Sequence, residues 1–313
     1  MKAFALSAFL LVLLIAPEMP VQDVVHHAYF PAVMVSPINP RKGVALAYGW
    51  IANPDGARIL GVGTKLRWWI QEGDDDGLTV VQMMWCDELD GESLYPLLAR
   101  LQSGGIGTGI VRLNGKPLVL LGNEPDIMSQ CNRTPTEFAD IYQVAVRHCP
   151  DCIFTFPSVS DWDMFCDWPS HERQAWAANV DGGWCWSREF LAELDRRGVV
   201  ASFPVCAFRH YYSIGWHVPQ REVEAMEPGE ALAALVGCSL FIVPEYGTCD
   251  PLFMATMTKT YNNDPRVLAF YAWTPNLPPP PNGVNFPQCE VFFRWDTGEL
   301  TDVGMAFAMT GRK

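Results

Sequence analysis

Short apolar runs alternate with longer amphipathic stretches along the chain beyond residue 40. A continuous apolar run of about four to eight residues between turn residues is typical of a strand that is buried on both faces. The runs that fit this pattern predict eight strands: Val44–Trp50, Lys65–Ile70, Thr79–Trp85, Pro117–Gly122, Cys152–Val159, Ala201–Tyr212, Ser239–Gly247 and Val267–Trp273.

Helical patterns separate most of these strands. Thr134 is followed three residues later by Glu137, a capping box that predicts a helix over the amphipathic EFADIYQVAVRH. Strands that alternate with helices in this way predict an α/β fold, a closed parallel (β/α)8 TIM barrel in a single domain. The alternative is an open doubly wound sheet. That fold would carry a glycine-rich phosphate-binding turn after its first strand, and the sequence has none there.

Composition limits the classes of ligand. The 313 residues include 22 basic and 35 acidic ones, for a formal charge of −13, and 49% of the chain is hydrophobic. The apolar content is sufficient for a large core. The negative field repels nucleic acid and anionic membrane surfaces, so a neutral or cationic ligand is favoured.

The N-terminus resembles an export signal. Lys2 is followed by fourteen uncharged residues, Ala3–Ala16, which is shorter than the roughly 20 residues that span a bilayer. We therefore predict a signal peptide over residues 1–22, with an uncleaved N-terminal anchor as the alternative, and a folded domain over 23–313. No later segment predicts a membrane span.

Ten cysteines agree with a secreted, extracellular protein, because an even number in an exported chain predicts several disulfides. Cys149 and Cys152 form a CPDC motif. A second CxxC is absent from the sequence and the histidines are scattered. We therefore favour a helix-to-strand corner that is held together or simply packed here over a redox or zinc site.

Polar and aromatic residues collect at the predicted strand ends, which converge on one face of a barrel. Asn123 and Glu124 follow the fourth strand, and Glu245 lies at the end of the seventh. The other candidate ligand-binding residues at strand ends are Arg67, Trp68, Trp69, Trp85, His210, Tyr212, Tyr246 and Trp273. Two carboxylates among aromatic rings are suited to glycosidic bond cleavage, because one carboxyl protonates the leaving oxygen, the other attacks, and rings stack on sugar faces.

The motifs GNEPD, QMMW, HYY, PEYG and YAW, followed by the closing TGELTDVGMAF, resemble in their order and spacing glycoside hydrolase family 128, a family of endo-β-1,3-glucanases. The resemblance extends over roughly Gly43 to Ala308. Family 128 belongs to the clan of retaining (β/α)8 hydrolases. The resemblance therefore implies a double-displacement mechanism on β-glucan without a metal or organic cofactor.

The same resemblance implies roles for individual residues. Glu124 would be the general acid/base and Glu245 the nucleophile, with their carboxyls about 5–5.5 Å apart. Asn123 would bond the sugar 2-hydroxyl, His210 or Tyr212 would orient Glu245, and Trp273 would form the floor of the subsite for the reacting sugar.

Two other functions fit the sequence. One is a barrel that binds carbohydrate without turnover, and the other is a retaining hydrolase of a different β-glycan such as a mannan or an arabinofuranoside. In each case we expect a monomer whose partner is a polysaccharide, with no nucleic acid and no membrane beyond an N-terminal anchor.

Overall fold

The computed structural model describes residues 38–45, 56–67, 78–85, 94–103, 110–166, 184–212, 224–273, 292–293 and 299–310. All of them belong to one compact unit, Pro37–Lys313. The predicted signal peptide and the candidates Trp68 and Trp69 lie outside the described residues, as do the side chains of Arg67 and Tyr212. The domain boundary near residue 22 stays a prediction.

Ten strands occur in the described part of the chain. They are β1 (Asn39–Ala45), β2 (Val62–Arg67), β3 (Thr79–Met84), β4 (Arg112–Leu113), β5 (Lys116–Leu121), β6 (Ile153–Phe154), β7 (Val205–Ala207), β8 (His210–Tyr212), β9 (Leu240–Thr248) and β10 (Val267–Trp273). Each predicted strand has a counterpart, although β1 begins before the predicted Val44–Trp50 and the predicted Ala201–Tyr212 divides into β7 and β8.

The described helices lie between these strands and after them. They are α1 (Gly56–Leu60), α2 (Leu94–Gln102), α3 (Pro135–His148), α4 (Cys185–Arg196), α5 (Glu227–Val236), α6 (Pro251–Asn263) and α7 (Asp302–Met309). The predicted capping box is confirmed at the start of α3, where the Glu137 N–H donates to Thr134 Oγ1 at 3.2 Å and the Thr134 N–H donates to Glu137 Oε2 at 2.8 Å.

The sheet is parallel and curled. Its strands pair in the order β5–β3–β2–β1–β10–β9–β7, with β6 on β5, β8 on β9 and the short β4 antiparallel to β5. An isolated parallel bridge between Phe156 and Cys206 joins the segment after β6 to β7, so the two ends of the sheet approach each other. The predicted α/β domain is thus confirmed as one unit around a curled parallel sheet.

Alternate strand residues point into the curl and fill it. The inward-facing core consists of Ala45, Leu66, Val81, Met83, Leu118, Leu120, Val205, Ala207, Ile242, Ala269 and Tyr271. The Tyr271 ring occupies the space beside Gly43, where an added Cβ would lie 2.5 Å from it. A packed interior leaves the carboxyl ends of the strands as the place for a site.

The described cysteines are all disulfide-bonded, which confirms the expectation of several bridges. Cys149–Cys152 closes the corner after α3, Cys166–Cys185 joins the loop after β6 to the start of α4, and Cys206–Cys238 joins β7 to the end of α5. Cys131 and Cys249 are also bonded. None of the helices in the described segments is long and apolar enough to cross a membrane.

Candidate active site

The turn after β5 presents Asn123 and Glu124. Gly122 has φ 78° and Glu124 has φ 44°, so both lie in the left-handed region, which costs a residue with a side chain about 1–2 kcal/mol. Two hydrogen bonds fix the turn: the Glu124 N–H donates to the Ser158 carbonyl at 2.9 Å, and the Ile127 N–H donates to the Glu124 carbonyl at 3.1 Å. Strain of this kind is typical of functional sites.

An extra residue in β9 turns Glu245 inward. Between the pairs Val243–Phe270 and Tyr246–Ala272, β9 advances three residues while β10 advances two. The pairing on the other side of β9 shows the same extra residue. From the pair Ala207–Ile242 to the pair His210–Tyr246, the β7–β8 segment advances three residues while β9 advances four. Regular alternation from the inward-facing Ile242 would have turned Tyr246 inward. Instead the bulge, which contains Pro244, reverses the pattern, and bulges commonly re-aim a side chain beside an active site.

Arg209 lies at the centre of the site. The inward pattern of Val205 and Ala207 continues through Arg209 and Tyr211 without a break. The Arg209 Nη1 atom is 3.0 Å from Glu124 Oε1 and also donates to Glu245 Oε2. The Nη2 atom donates to Asn123 Oδ1, and Nε donates to Ser158 Oγ at 3.1 Å. One guanidinium therefore contacts both carboxylates and the amide.

The two oxygens of Glu245 have different surroundings. Oε2 accepts hydrogen bonds from Arg209 and from the Tyr211 hydroxyl, the latter at 2.5 Å. Oε1 is buried and has no hydrogen-bond partner among the described residues. One oxygen is thus held by donors, and the other is left available to a bound molecule.

The two carboxyl groups differ in their ability to hold a proton. Burial raises the pKa of Glu124 to about 8; Arg209 opposes this rise, and the negative charge of Glu245 adds to it. Burial also raises the pKa of Glu245, but Arg209 and the hydroxyl of Tyr211 both counteract it. The Glu245 side chain is 4% exposed, against 16% for Glu124. The Tyr211 hydroxyl is thus a donor that favours the charged form of Glu245.

Two further carboxylates surround the pair. The buried Asp126 accepts hydrogen bonds from the N–H of Ser160, at 3.0 Å, and from its hydroxyl, which ties the turn after β5 to the loop after β6. Asp161 in that loop is close enough to Arg209 and Glu124 for its charge to interact with the charges of both. Burial raises the pKa of Asp161 to about 6, against the opposing charge of Arg209.

His210 and Tyr246 lie on the other side of the sheet, so the structure does not bring these two predicted ligand-binding residues to the carboxylate pair. His210 Nδ1 is 3.0 Å from the Tyr261 hydroxyl, and the Tyr246 hydroxyl is 2.9 Å from Thr258 Oγ1, both partners being on α6. Burial lowers the pKa of His210 to about 4. Besides Arg209, Glu245 is contacted by Tyr211, which lies between the two predicted candidates His210 and Tyr212.

The described tryptophans among the candidates face the interior. Trp85 follows β3 and Trp273 ends β10, and both are half-buried against the inward-facing core. Their position at the carboxyl ends of the strands agrees with the predicted aromatic lining. Within the described residues, no group of His, Cys, Asp and Glu side chains is arranged to hold a metal ion.

The fold resembles that of solved structures of family 128 glycoside hydrolases. No protein-family model matches the sequence, and no curated protein matches it either. Among solved structures, a subgroup I family 128 endo-β-1,3-glucanase from Amycolatopsis mediterranei, in complex with laminaritriose, is 14% identical with a TM-score of 0.58. That alignment covers 86% of this chain and 99% of the glucanase.

Two other structures show the range of the family. A subgroup II endo-β-1,3-glucanase from Pseudomonas viridiflava is 18% identical with a TM-score of 0.59, covering 87% of this chain and 98% of the other. A subgroup VII oligosaccharide-binding protein from Trichoderma gamsii is 13% identical with a TM-score of 0.55, covering 88% and 95%. This chain therefore has the fold of the family 128 glycoside hydrolases.

Proposed function

We propose that this protein is a retaining endo-β-1,3-glucanase whose curled sheet is a complete (β/α)8 barrel. The observation that carries the proposal is the pair of buried carboxylates, Glu124 and Glu245, that share one nitrogen of Arg209. Glu124 follows β5 and Glu245 lies in the second half of β9, toward the strand ends where barrel enzymes bind their substrates.

The spacing of the carboxylates supports retention. Because Glu124 Oε1 and Glu245 Oε2 both contact Arg209 Nη1, these oxygens are no farther apart than two hydrogen-bond lengths, roughly 6 Å. Retaining glycosidases hold their carboxyls about 5–5.5 Å apart, whereas inverting enzymes need about 6.5–9.5 Å to admit a water.

In the first step, Glu124 donates its proton to the glycosidic oxygen while Glu245 Oε1 attacks the anomeric carbon. The proton is available because the pKa of Glu124 is raised to about 8. The attacking oxygen is the one without a hydrogen-bond partner in the described part of the chain, and Arg209 and Tyr211 hold the other in place. Asn123 Nδ2, which lies 3.3 Å from Gln130 Oε1, is the donor we assign to the sugar 2-hydroxyl.

In the second step, Glu124 acts as base and removes a proton from the water that attacks the anomeric carbon. The ester bond to Glu245 breaks, and two inversions at one carbon restore the β configuration. Trp85 and Trp273 supply apolar ring faces on which the sugars stack.

The substrate assignment draws on the related folds and on the charge of the chain. The Amycolatopsis glucanase was crystallised with laminaritriose, and a neutral glucan suits a chain of formal charge −13. The disulfides are compatible with an oxidising, extracellular compartment, where a secreted enzyme would meet glucans. The Trichoderma relative motivates a second candidate, a carbohydrate-binding protein, but the presence of both carboxylates in a reactive arrangement favours turnover.

A panel assay tests the proposed function. We expect the purified chain to release reducing sugar from β-1,3-glucan faster than from mannan, xylan or arabinan, with internal cleavage products. Proton NMR of the first products should show the β-anomer before mutarotation. An α-anomer would establish inversion, and binding of laminari-oligosaccharides without any turnover would establish a binding protein.

Substitution of Tyr211 by phenylalanine tests how Glu245 is kept ionised. Loss of the hydroxyl removes a donor that lowers the pKa of Glu245, so that pKa rises and the acid limb of the kcat/KM profile moves to higher pH. We expect a loss of about 10-fold near neutral pH, typical of a hydrogen bond to a charged group. The basic limb, set by Glu124 near pH 8, should stay in place.

Tyr246→Phe is the matched control for this substitution, because its hydroxyl bonds Thr258 on the other side of the sheet. It should leave both limbs of the profile unchanged. An unaltered acid limb in Tyr211→Phe would show that the hydroxyl does not stabilise the ionised nucleophile.

A further inference from the structure

We propose that Arg209 is a shared counter-ion that pairs with whichever of Glu124 and Glu245 is negatively charged in each half of the reaction. This inference rests on the proposed retaining mechanism. It assigns to Arg209 the role of balancing the negative charge of the site in both steps of that mechanism. Arg209 acts through the two carboxylates and is therefore a positioning residue.

The guanidinium is held in place and cannot move toward one carboxylate and away from the other. Two of its nitrogens are fixed by Asn123 Oδ1 and Ser158 Oγ, and the side chain is 2% exposed. The third, Nη1, contacts both glutamates. An arginine side chain held at several points in a buried site is oriented in advance and needs little reorganisation when charge moves nearby.

The negative charge of the site moves during the proposed reaction. In the free enzyme Glu245 is ionised and Glu124 carries a proton. In the first step that proton goes to the leaving oxygen as the glycosidic bond breaks, and Glu245 contributes an electron pair to form the ester bond. The intermediate therefore has a neutral Glu245 and an ionised Glu124. In the second step a water proton returns to Glu124, the water oxygen bonds the anomeric carbon, and the ester electron pair returns to Glu245.

Arg209 balances this charge in both states. A buried carboxylate without a counter-ion is strongly destabilised. A cation bound to Glu245 alone would favour the free enzyme and leave the ionised Glu124 of the intermediate unpaired. Burial alone would lower the pKa of Arg209, but Glu124 and Glu245 outweigh that effect and raise it, so the cation persists in each state. Tyr211 differs, because its single hydroxyl proton is donated to Glu245.

The two steps can be measured separately with an aryl β-laminaribioside, whose good leaving group gives a burst of aryl alcohol followed by steady-state release. We expect Arg209→Met to slow both the burst and the steady-state rate by at least about 100-fold. Arg209→Lys keeps the positive charge but lacks the planar guanidinium with its several N–H donors, so it should slow both steps less. The matched control is Arg266→Met, which removes an arginine paired with Glu230 at the surface and should leave both rates unchanged.

Chemical rescue separates a local effect from a folding defect. Arg209→Ala leaves space for a guanidinium ion, and millimolar guanidinium should restore both rates in this variant while leaving Arg266→Met unaffected. Rescue of both steps supports the shared role, since a misfolded chain would not respond. If Arg209→Met does not fold at neutral pH, Arg209→Lys and the rescued alanine variant carry the comparison.

A defect confined to one step overturns the inference: if either the burst or the steady-state rate of Arg209→Met stays within about twofold of the wild type, Arg209 serves one carboxylate. Failure of the proposed function looks different, because the wild-type chain would then turn over no glycoside. A titration by carbon-13 NMR of labelled glutamate is independent of turnover. Arg209→Met should raise the pKa of both carboxyls, and a change in one alone also overturns the shared role.

Discussion

Glu245→Gln is expected to abolish turnover on β-1,3-glucan and on activated aryl glycosides alike, with kcat lower by at least about 10⁴-fold. The amide is close in shape to the carboxylate but cannot form the glycosyl ester. Glu245 Oε1, the oxygen that we assign to the attack, is buried and has no hydrogen-bond partner among the residues that the structure describes. Release of reducing sugar and of aryl alcohol measures the loss.

Azide distinguishes this role from a structural one. A small anion that enters beside the substituted side chain of Glu245→Gln should attack the anomeric carbon directly, and the single inversion gives an α-glycosyl azide. Glu230→Gln is the matched control, since Glu230 lies on the surface in an ion pair with Arg266. It should keep full activity. Residual activity above one per cent of wild type in Glu245→Gln would remove Glu245 from the nucleophile role.

Glu124→Gln should produce a loss that depends on the leaving group. On glucan, where the leaving group is another sugar, we expect kcat/KM to fall about 10³- to 10⁴-fold, because general acid catalysis contributes up to this amount. An activated aryl glycoside needs little protonation, so its first step is largely spared. Its second step becomes slow, because the same residue serves as base, and the glycosyl-enzyme should accumulate and be visible by mass spectrometry.

Azide again gives the diagnostic product. It attacks the intermediate of Glu124→Gln without base assistance and should yield the β-glycosyl azide, since two inversions retain configuration. Exchange of the two azide products between the variants would reverse the roles of Glu124 and Glu245. An equal loss with sugar and aryl leaving groups would argue against Glu124 as the proton donor.

The sequence is sufficient to select Glu124 and Glu245 as neighbours in space, because each follows a recognisable apolar run. Leu118–Leu121 and Phe241–Val243 predict buried strands, and chemistry at their ends follows from the parallel arrangement. Which side chain near the end of β9 faces inward could not be predicted from alternation. The bulge at Pro244 inverts the pattern, so Glu245 points inward and Tyr246 points toward α6.

Arg209 was missed, although a signal for it existed. It is a charged residue inside an otherwise apolar segment, and a buried arginine requires a carboxylate partner. The end of the predicted strand Ala201–Tyr212 indicates His210 and Tyr212 as the candidates. Counting in steps of two from the inward-facing Val205 and Ala207 leads instead to Arg209 and Tyr211. Burial and charge, rather than position at the strand end, identify the centre of this site.

A stem of hydrogen bonds and one disulfide joins the loop after β6 to the start of α4. Asp163 accepts the N–H groups of Trp186 and Ser187 at the start of α4, and the Trp184 N–H donates to the Asp163 carbonyl at 2.6 Å. The Cys166–Cys185 disulfide joins the same two segments. With both ends joined, the 17 residues from 167 to 183 can be exchanged or lengthened at little entropic cost. The stem therefore sets two fixed points, Cys166 and Trp184, between which the sequence can change without displacing the start of α4.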